Sequence, residues 1–170
     1  MAKMNSLLEE ALEAWESARL GFLDEVKNIP ARHFDFRPHK GARSVRELTV
    51  HVLEVAMMMT GELVRPDTNF RRMPWPELLW HYAKPAYDSR TRPALLKLLR
   101  SQLKEGTKAF RDAGELHMLQ QIERFDRQKG TRLAWLHHGI AQEEYHRGQL
   151  TVYARVLGLE PALTRRIKGG

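Results

Sequence analysis

The stretch RLAWLHHGIAQEEYHRGQLTVYARVL, residues 132–157, decides the fold class of this chain. Its apolar residues recur at steps of three and four, and no proline interrupts it before Pro161. This periodicity predicts a long amphipathic helix from about Thr131 to Leu157. On a helical wheel, the centre of the apolar face carries four polar side chains in place of aliphatic ones. They are His138, Gln142, His146 and Gln149.

Three further amphipathic helices are predicted upstream of this one. The first covers about residues 5–27. The second begins at SVRE, residues 44–47, which has the form of a capping box, and ends near Leu63. The third covers residues 93–113 and ends at Gly114, because proline suits the first turn of a helix and glycine suits the position after the last.

The second and third helices are separated by a long, proline-containing connection, residues 64–92, with a short helix predicted at residues 76–83. A connection of this length reaches from one end of a bundle to the other. The sequence therefore predicts an all-α fold, a four-helix bundle with a long crossover between helices 2 and 3. We expect a single domain over residues 1–170, with its core at about residues 5–158.

The amino-acid composition limits the kinds of metal site, location and partner that are possible. The 170 residues include no cysteine, so any metal site must use His, Asp, Glu or Gln. No apolar run approaches the roughly 18 residues that a membrane span requires. The acidic, amphipathic amino-terminal segment is not typical of a secretory signal, and a cytoplasmic location is expected. The net charge of +7 is compatible with several kinds of anionic partner.

The polar residues on the fourth helix predict a site in the bundle core. His51, on the flank of the apolar face of helix 2, is a candidate partner from a facing helix. Imidazoles that converge in a bundle commonly bind a divalent metal, although a hydrogen-bonded core cluster is the alternative. The wheel places Glu54 and Glu143 away from the core, so neither carboxylate is expected to be a ligand.

Two stretches resemble the DinB superfamily, which includes YfiT-like metalloenzymes. FRPHKGARSVRELTVHVLEV, residues 36–55, is similar to the family segment that ends at its first metal-binding histidine, here His51. AWLHHGIAQEEYHRGQLTVYARVLG, residues 134–158, is similar to the family's H-x-x-x-H-R-G-Q segment, with His146 at the last ligand position. The resemblance covers most of residues 5–158.

The resemblance implies a four-helix bundle, often a homodimer, that holds a metal at an open site. Gln142 stands at the middle ligand position, where the family usually has histidine. An amide oxygen is a weaker ligand for zinc or nickel than imidazole, so His138, one turn earlier, is a substitute candidate. Gln149 faces inward and is expected to hold the ligand side chains without binding the metal itself.

By resemblance, the leading hypothesis is a divalent-metal-dependent enzyme, with zinc or nickel as the expected ion. Its reaction on a small-molecule substrate is thiol-dependent transfer with a low-molecular-weight thiol, or hydrolysis. A non-catalytic scaffold or binding protein with a degenerate metal site is the alternative, favoured by Gln142. Nucleic-acid binding is the weakest hypothesis, because it rests only on the net charge and on a basic stripe in helix 3. That stripe comprises Lys97, Arg100, Lys104, Lys108 and Arg111.

Overall fold

The computed structural model describes residues 6–169, so the predicted start of the first helix at Asn5 lies outside the described residues. The chain forms seven helices and one small hairpin within that range. In order, they are α1 (Leu7–Asn28), a 3₁₀ turn (Ala31–His33), α2 (Val45–Leu63), α3 (Trp75–Asp88), α4 (Arg92–Ala113), α5 (Glu115–Met118), β1 (Gln121–Glu123), β2 (Lys129–Thr131), α6 (Arg132–Val156) and α7 (Ala162–Lys168).

The four long helices α1, α2, α4 and α6 form the predicted bundle, and residues 64–91 make the crossover between α2 and α4. The crossover contains more helix than the sequence predicted, because α3 extends over 14 residues. It packs along α2, where Gly61 leaves room for the ring of Tyr82: a Cβ at Gly61 would lie 2.2 Å from that ring.

The antiparallel hairpin β1–β2 was not predicted. Among residues 6–169, no helix combines the length and the apolar character needed to cross a membrane.

Helix ends follow the local signals of the sequence. Ser44 and Glu47 form the predicted capping box: the Glu47 amide donates to Ser44 Oγ at 3.2 Å, and the Ser44 amide donates to Glu47 Oε2 at 2.6 Å. Thr131 caps α6 by accepting from the Ala134 amide at 3.0 Å. Gly114 ends α4 with φ of +83°, a conformation that glycine adopts without strain. These contacts set the register of the helices that carry the polar residues.

The core of the bundle holds a buried ion pair that the sequence did not reveal. Glu143 of α6 is 1% exposed and Arg19 of α1 is fully buried, which corrects the placement of Glu143 outside the core. Arg19 Nε donates to Glu143 Oε2 at 2.7 Å, and Nη2 donates to Oε1 at 2.6 Å. Trp15 Nε1 also donates to Glu143 Oε1, at 2.7 Å. Because both carboxylate oxygens are occupied, Glu143 is not available as a metal ligand.

The remaining donors of Arg19 connect the ion pair to α4 and α2. Nη1 donates to the Leu99 carbonyl and to Gln102 Oε1, both at 2.8 Å. Gln102 Nε2 in turn donates to Thr60 Oγ1 of α2 at 3.1 Å. Side chains from all four long helices therefore meet in one hydrogen-bonded network, and each group in it depends on the others for its partner.

We expect the substitution Glu143→Gln to lower the free energy of unfolding by about 3–5 kcal/mol, because it leaves the Arg19 guanidinium buried without a counter-charge. Urea denaturation monitored by circular dichroism measures the change. Glu144→Gln is the matched control: this neighbouring carboxylate is 45% exposed and pairs with Arg147 at the surface, so its loss is expected to change stability by less than about 1 kcal/mol. Equal effects of the two substitutions would contradict the central role of the buried pair.

Candidate metal centre

Two histidines from different helices meet between α2 and α6. The ring centroids of His51 and His146 lie 4.9 Å apart, with the ring planes at 80°. His146 is 3% exposed, and the His51 side chain is 18% exposed. The two imidazoles that the sequence singled out are therefore neighbours, and the His51 side chain is the more exposed of the two.

Each of the two rings is held through its Nδ1 atom. His51 Nδ1 donates to Glu54 Oε1 at 2.5 Å, and His146 Nδ1 donates to Gln149 Oε1 at 2.8 Å. A proton on Nδ1 leaves the lone pair of Nε2 free, which is the arrangement found in metal-binding histidines. The side-chain amide oxygen of Gln149 thus holds the His146 ring in place.

Glu54 takes part in the site although the wheel placed it away from the core. Its side chain is only 15% exposed, and its second oxygen, Oε2, accepts a hydrogen bond from Tyr87 Oη at 2.5 Å. Burial alone would raise the pKa of the Glu54 carboxyl, but the hydrogen bonds from His51 and Tyr87 outweigh it and lower the pKa. The carboxylate stays ionised and fixes the His51 ring. The spacing of three residues on one helix is the sequence signal that indicates such a pair, but the helical wheel led to the opposite expectation for Glu54.

Tyr87 brings the crossover helix α3 into the site. Its ring stacks on Trp80 with the centroids 4.7 Å apart. Burial, followed by the hydrogen bond to Glu54, raises the pKa of the Tyr87 phenol, so that it remains a protonated donor. No local sequence signal indicated Tyr87, because its approach to Glu54 depends on how the crossover folds back over α2.

Gln142 lies one helical turn before His146 and is partly buried. Neither its Oε1 nor its Nε2 is exposed, and neither has a hydrogen-bond partner among the residues that the structure describes. A buried amide without partners costs free energy, which a ligand for its oxygen would recover. Together with the two free Nε2 atoms, this unsatisfied amide fits a metal ion.

His138 does not join the site. Its residue is exposed, so the prediction that it occupies the centre of the buried face of α6 is wrong. Its Nε2 lies 2.9 Å from Arg124 Nη1, and its ring lies 4.9 Å from that of Trp135. The buried face instead passes through Leu136, Ile140 and Glu143, because the ion pair with Arg19 turns α6 toward α1.

The electrostatic setting favours neutral imidazole at His146. Burial is the main influence and lowers the pKa of His146; the hydrogen bond with Gln149 acts in the opposite direction, and the positive charge of Arg43, or of a protonated His51 ring, lowers the pKa further. Neutral imidazole is the form that binds metals. Within residues 6–169, no group of three or more His, Asp or Glu side chains is placed to hold a metal ion. A third protein ligand beside the histidines would therefore be the Gln142 amide.

The fold is shared with solved structures of other proteins. The DinB-like protein YjoA from Bacillus subtilis is 20% identical over 88% of this chain and 92% of its own, with a TM-score of 0.65. YfiT from Bacillus subtilis, described as a probable metal-dependent hydrolase with an unusual four-helix bundle topology, is 16% identical over 94% of this chain and 93% of its own, with a TM-score of 0.66.

A mycothiol-dependent maleylpyruvate isomerase also has this fold, with 15% identity and a TM-score of 0.66. The match covers 86% of this chain but only 63% of the isomerase. No curated protein matches the chain. The model of the DinB family matches residues 1–167, nearly the whole length. The chain therefore belongs to the DinB family.

Proposed function

We propose that this protein is a metal-dependent enzyme acting on a small molecule, with a divalent cation held by His51, His146 and Gln142. The observation that carries the proposal is the unsatisfied, buried amide of Gln142 beside two imidazoles whose Nε2 atoms are free. A cation at this point would satisfy the amide oxygen and both nitrogens together. Zinc or nickel is the ion that best suits two imidazole ligands and an amide.

The proposed ligand set is neutral and incomplete. A cation bound by two imidazoles and an amide keeps its full charge and open positions, and would act as a Lewis acid or lower the pKa of a bound thiol or water. The protein side chains supply the orientation: Glu54 and Gln149 fix the two rings, and Tyr87 fixes Glu54. This support limits the rotation of the ligands.

For the reaction, we propose transfer that depends on a low-molecular-weight thiol, with hydrolysis as the near alternative. The fold relatives support both, since one is described as a mycothiol-dependent isomerase and another as a probable metal-dependent hydrolase. A screen of purified, metal-loaded protein with thiols plus electrophiles, and separately with ester and amide substrates, distinguishes the two. Turnover only in the presence of a thiol would identify the transferase.

The metal site is tested by substitution of each histidine. We expect near-stoichiometric zinc or nickel in the wild-type protein and a loss of most of it in His51→Ala and His146→Ala, because each change removes one of two imidazole ligands. Plasma mass spectrometry of tag-free protein measures the content. His137→Ala, at an exposed neighbouring position, is the matched control and should retain the metal. Wild-type protein that stays metal-free after incubation with zinc, nickel and manganese would exclude the proposal.

Replacing the Gln142 amide with imidazole tests the site by an expected gain, rather than a loss, of metal affinity. Gln142→His is expected to bind zinc more tightly than the wild type, because imidazole is a stronger ligand than an amide oxygen and residue 142 lies one helical turn before His146 on α6. Competition against a chromophoric chelator measures the affinity. A decrease in affinity would show that residue 142 lies outside the coordination sphere.

A scaffold without metal remains the second candidate, and one observation favours it. The two rings already have hydrogen-bond partners at Nδ1, so a metal is not required to hold them in place. In that case His51→Ala would lower the melting temperature without any change in metal content. Nucleic-acid binding receives less support, because in the basic stripe Lys108 pairs with Asp112 and Arg111 pairs with Glu9.

We also propose that a second copy of the chain covers the outer face of α6. Small and apolar residues at helical spacing are exposed along this face: Ala141, Tyr145, Gly148, Val152 and Val156. Tyr145 is 65% exposed and Val152 is 53% exposed. An antiparallel pair centred between residues 148 and 149 places Tyr145 against the partner subunit's Val152. It also brings Glu144 near the partner subunit's Arg155, so the charges are complementary.

The substitution Val152→Glu is expected to convert the homodimer to a monomer, because it introduces two carboxylates near the two-fold axis of the interface. Sedimentation velocity measures the change in mass. Thr107→Glu, on α4 in a different groove, is the control and should remain dimeric. A wild-type protein that is monomeric at all accessible concentrations would contradict the proposed pairing.

A further inference from the structure

A cavity of about 350 Å³ lies where the carboxyl-terminal end of α1, the helix α6 and the short helix α7 meet. Nine of the described residues line it, and four of the nine are positively charged, against one carboxylate. The cations are Lys27, Arg147, Arg165 and Arg166, and the carboxylate belongs to Asp24. The volume is within the range of small-molecule sites, so the arrangement of these charges indicates which ligand the cavity would accept.

The walls of the cavity are held together by hydrogen bonds between α1 and α7. Both oxygens of the buried Glu25 carboxylate accept backbone amides of α7, from Ala162 at 3.0 Å and from Leu163 at 3.1 Å. At the end of α1, Asn28 Oδ1 accepts from Arg165 Nη2 at 2.8 Å. The cavity is therefore formed without a ligand. Because the first amides of α7 already have a partner, recognition of an anion would depend on the side chains.

Arg147 can lie against α1 because that helix has a glycine opposite it. A Cβ at Gly21 would lie 2.5 Å from Arg147 Cζ and 2.7 Å from Nε, and the arginine side chain is only 11% exposed. Nη1 donates to both oxygens of Glu144, at 3.1 and 3.2 Å, whereas Nε and Nη2 make no hydrogen bond within residues 6–169. Arg147 directly follows His146, but His146 contacts α2. The cavity is therefore separate from the candidate metal centre.

The ion pairs around the cavity leave two of its arginines without a counter-charge. Arg165 bonds to the neutral Asn28, and Arg166 makes no hydrogen bond or ion pair with the residues that the structure describes. The oxygens of Glu25 face the α7 amides and are not available to either guanidinium. The other two cations have carboxylate partners, in the pairs Lys27–Asp24 at 3.4 Å and Arg147–Glu144 at 3.1 Å.

We propose that this cavity binds a phosphate monoester, with its phosphate held by Arg147, Arg165 and Arg166. The site lies away from the candidate metal centre, so the inference goes beyond the proposed function. Guanidinium groups present paired N–H donors that suit phosphate oxygens. A phosphate monoester carries about −1.5 to −2 at pH 7, which matches two uncompensated arginines better than the single charge of a carboxylate or a phosphodiester. Ala162 and Leu163 offer an apolar wall to the organic group.

The experiment measures the binding of glycerol 3-phosphate by isothermal titration calorimetry, with glycerol and dimethyl phosphate as the neutral and singly charged comparisons. We expect Arg166→Gln to weaken the binding of glycerol 3-phosphate at least about tenfold, through the loss of a charge-assisted hydrogen bond. Arg166→Lys should weaken it less, because the charge is retained. Arg166 is exposed, so neither change should affect folding. Arg100→Gln, an exposed position on α4 with the same change in net charge, is the matched control and should bind as the wild type does.

Gly21→Ala tests the opposite wall of the cavity. The added methyl group would occupy the position of the Arg147 guanidinium and displace it, while alanine favours the helix more than glycine does. We therefore expect weaker binding of glycerol 3-phosphate in a protein that is folded as the wild type is, which circular dichroism checks. Unchanged binding in this variant would overturn the assignment of Arg147 to the site.

A soluble phosphate ester and the headgroup of phosphatidic acid share the proposed chemistry, and a second arm separates them. Sedimentation with phosphatidylcholine vesicles, with and without phosphatidic acid, reports lipid binding. Binding that depends on Arg166 supports the inference in either arm and identifies the source of the phosphate. Absence of binding in both arms, equal binding by wild type and Arg166→Gln, or preference for glycerol or dimethyl phosphate would overturn it.

The outcome is independent of the metal. We expect Arg166→Gln to keep the zinc content of the wild type, and metal-free protein to bind glycerol 3-phosphate as the zinc-loaded form does. Phosphate binding that disappears in His51→Ala would place the ligand at the metal centre and overturn the inference while supporting the proposed function. A wild-type protein that binds no metal, but binds glycerol 3-phosphate through Arg166, would overturn the proposed function and support the inference.

Discussion

The buried pair of Arg19 and Glu143 is the interaction on which the rest of the structure depends. Burying two charges is costly unless their hydrogen bonds are satisfied, and here four donor hydrogens of the guanidinium and both carboxylate oxygens have partners. The partners come from α1, α4 and α6, and Gln102 extends the network to α2. Because its donors and acceptors have fixed positions, this network restricts the rotation of α6 in addition to the apolar packing around it.

That rotation determines the site. With Glu143 directed at α1, His146 turns toward α2, where it meets His51, and Gln142 follows on the same side. His138 is carried to the surface by the same rotation, where it contacts Arg124. The ion pair does not touch the candidate metal centre, yet it decides which polar residues of α6 converge and which face solvent. Stability and the geometry of the site therefore have a common origin in one network.

The two histidines have different hydrogen-bond partners at Nδ1, a carboxylate for His51 and an amide for His146, and this difference affects how strongly each Nε2 would bind a metal. The carboxylate of Glu54 makes Nε2 of His51 more basic, and so a stronger metal ligand, than the amide of Gln149 makes Nε2 of His146. The carboxylate is itself held by Tyr87 of the crossover helix, so the long connection between α2 and α4 contributes directly to the site. The Gln142 amide adds a neutral third group. Because these three groups are neutral, the charge of a cation bound to them would be balanced by the molecule that the site binds.

The sequence by itself determined the helical architecture, since apolar periodicity, the capping box at Ser44 and the stop at Gly114 are local signals that act within one element. It also singled out His51, His146 and Gln142, through spacing and resemblance to the DinB family. Only the tertiary structure decided which face of α6 is buried. A helical wheel ranks positions by polarity and contains no information about Arg19, which lies on another helix and pairs with Glu143. The same limit applies to Tyr87: its place behind Glu54 follows from the path of the crossover, which depends on contacts between residues distant in sequence.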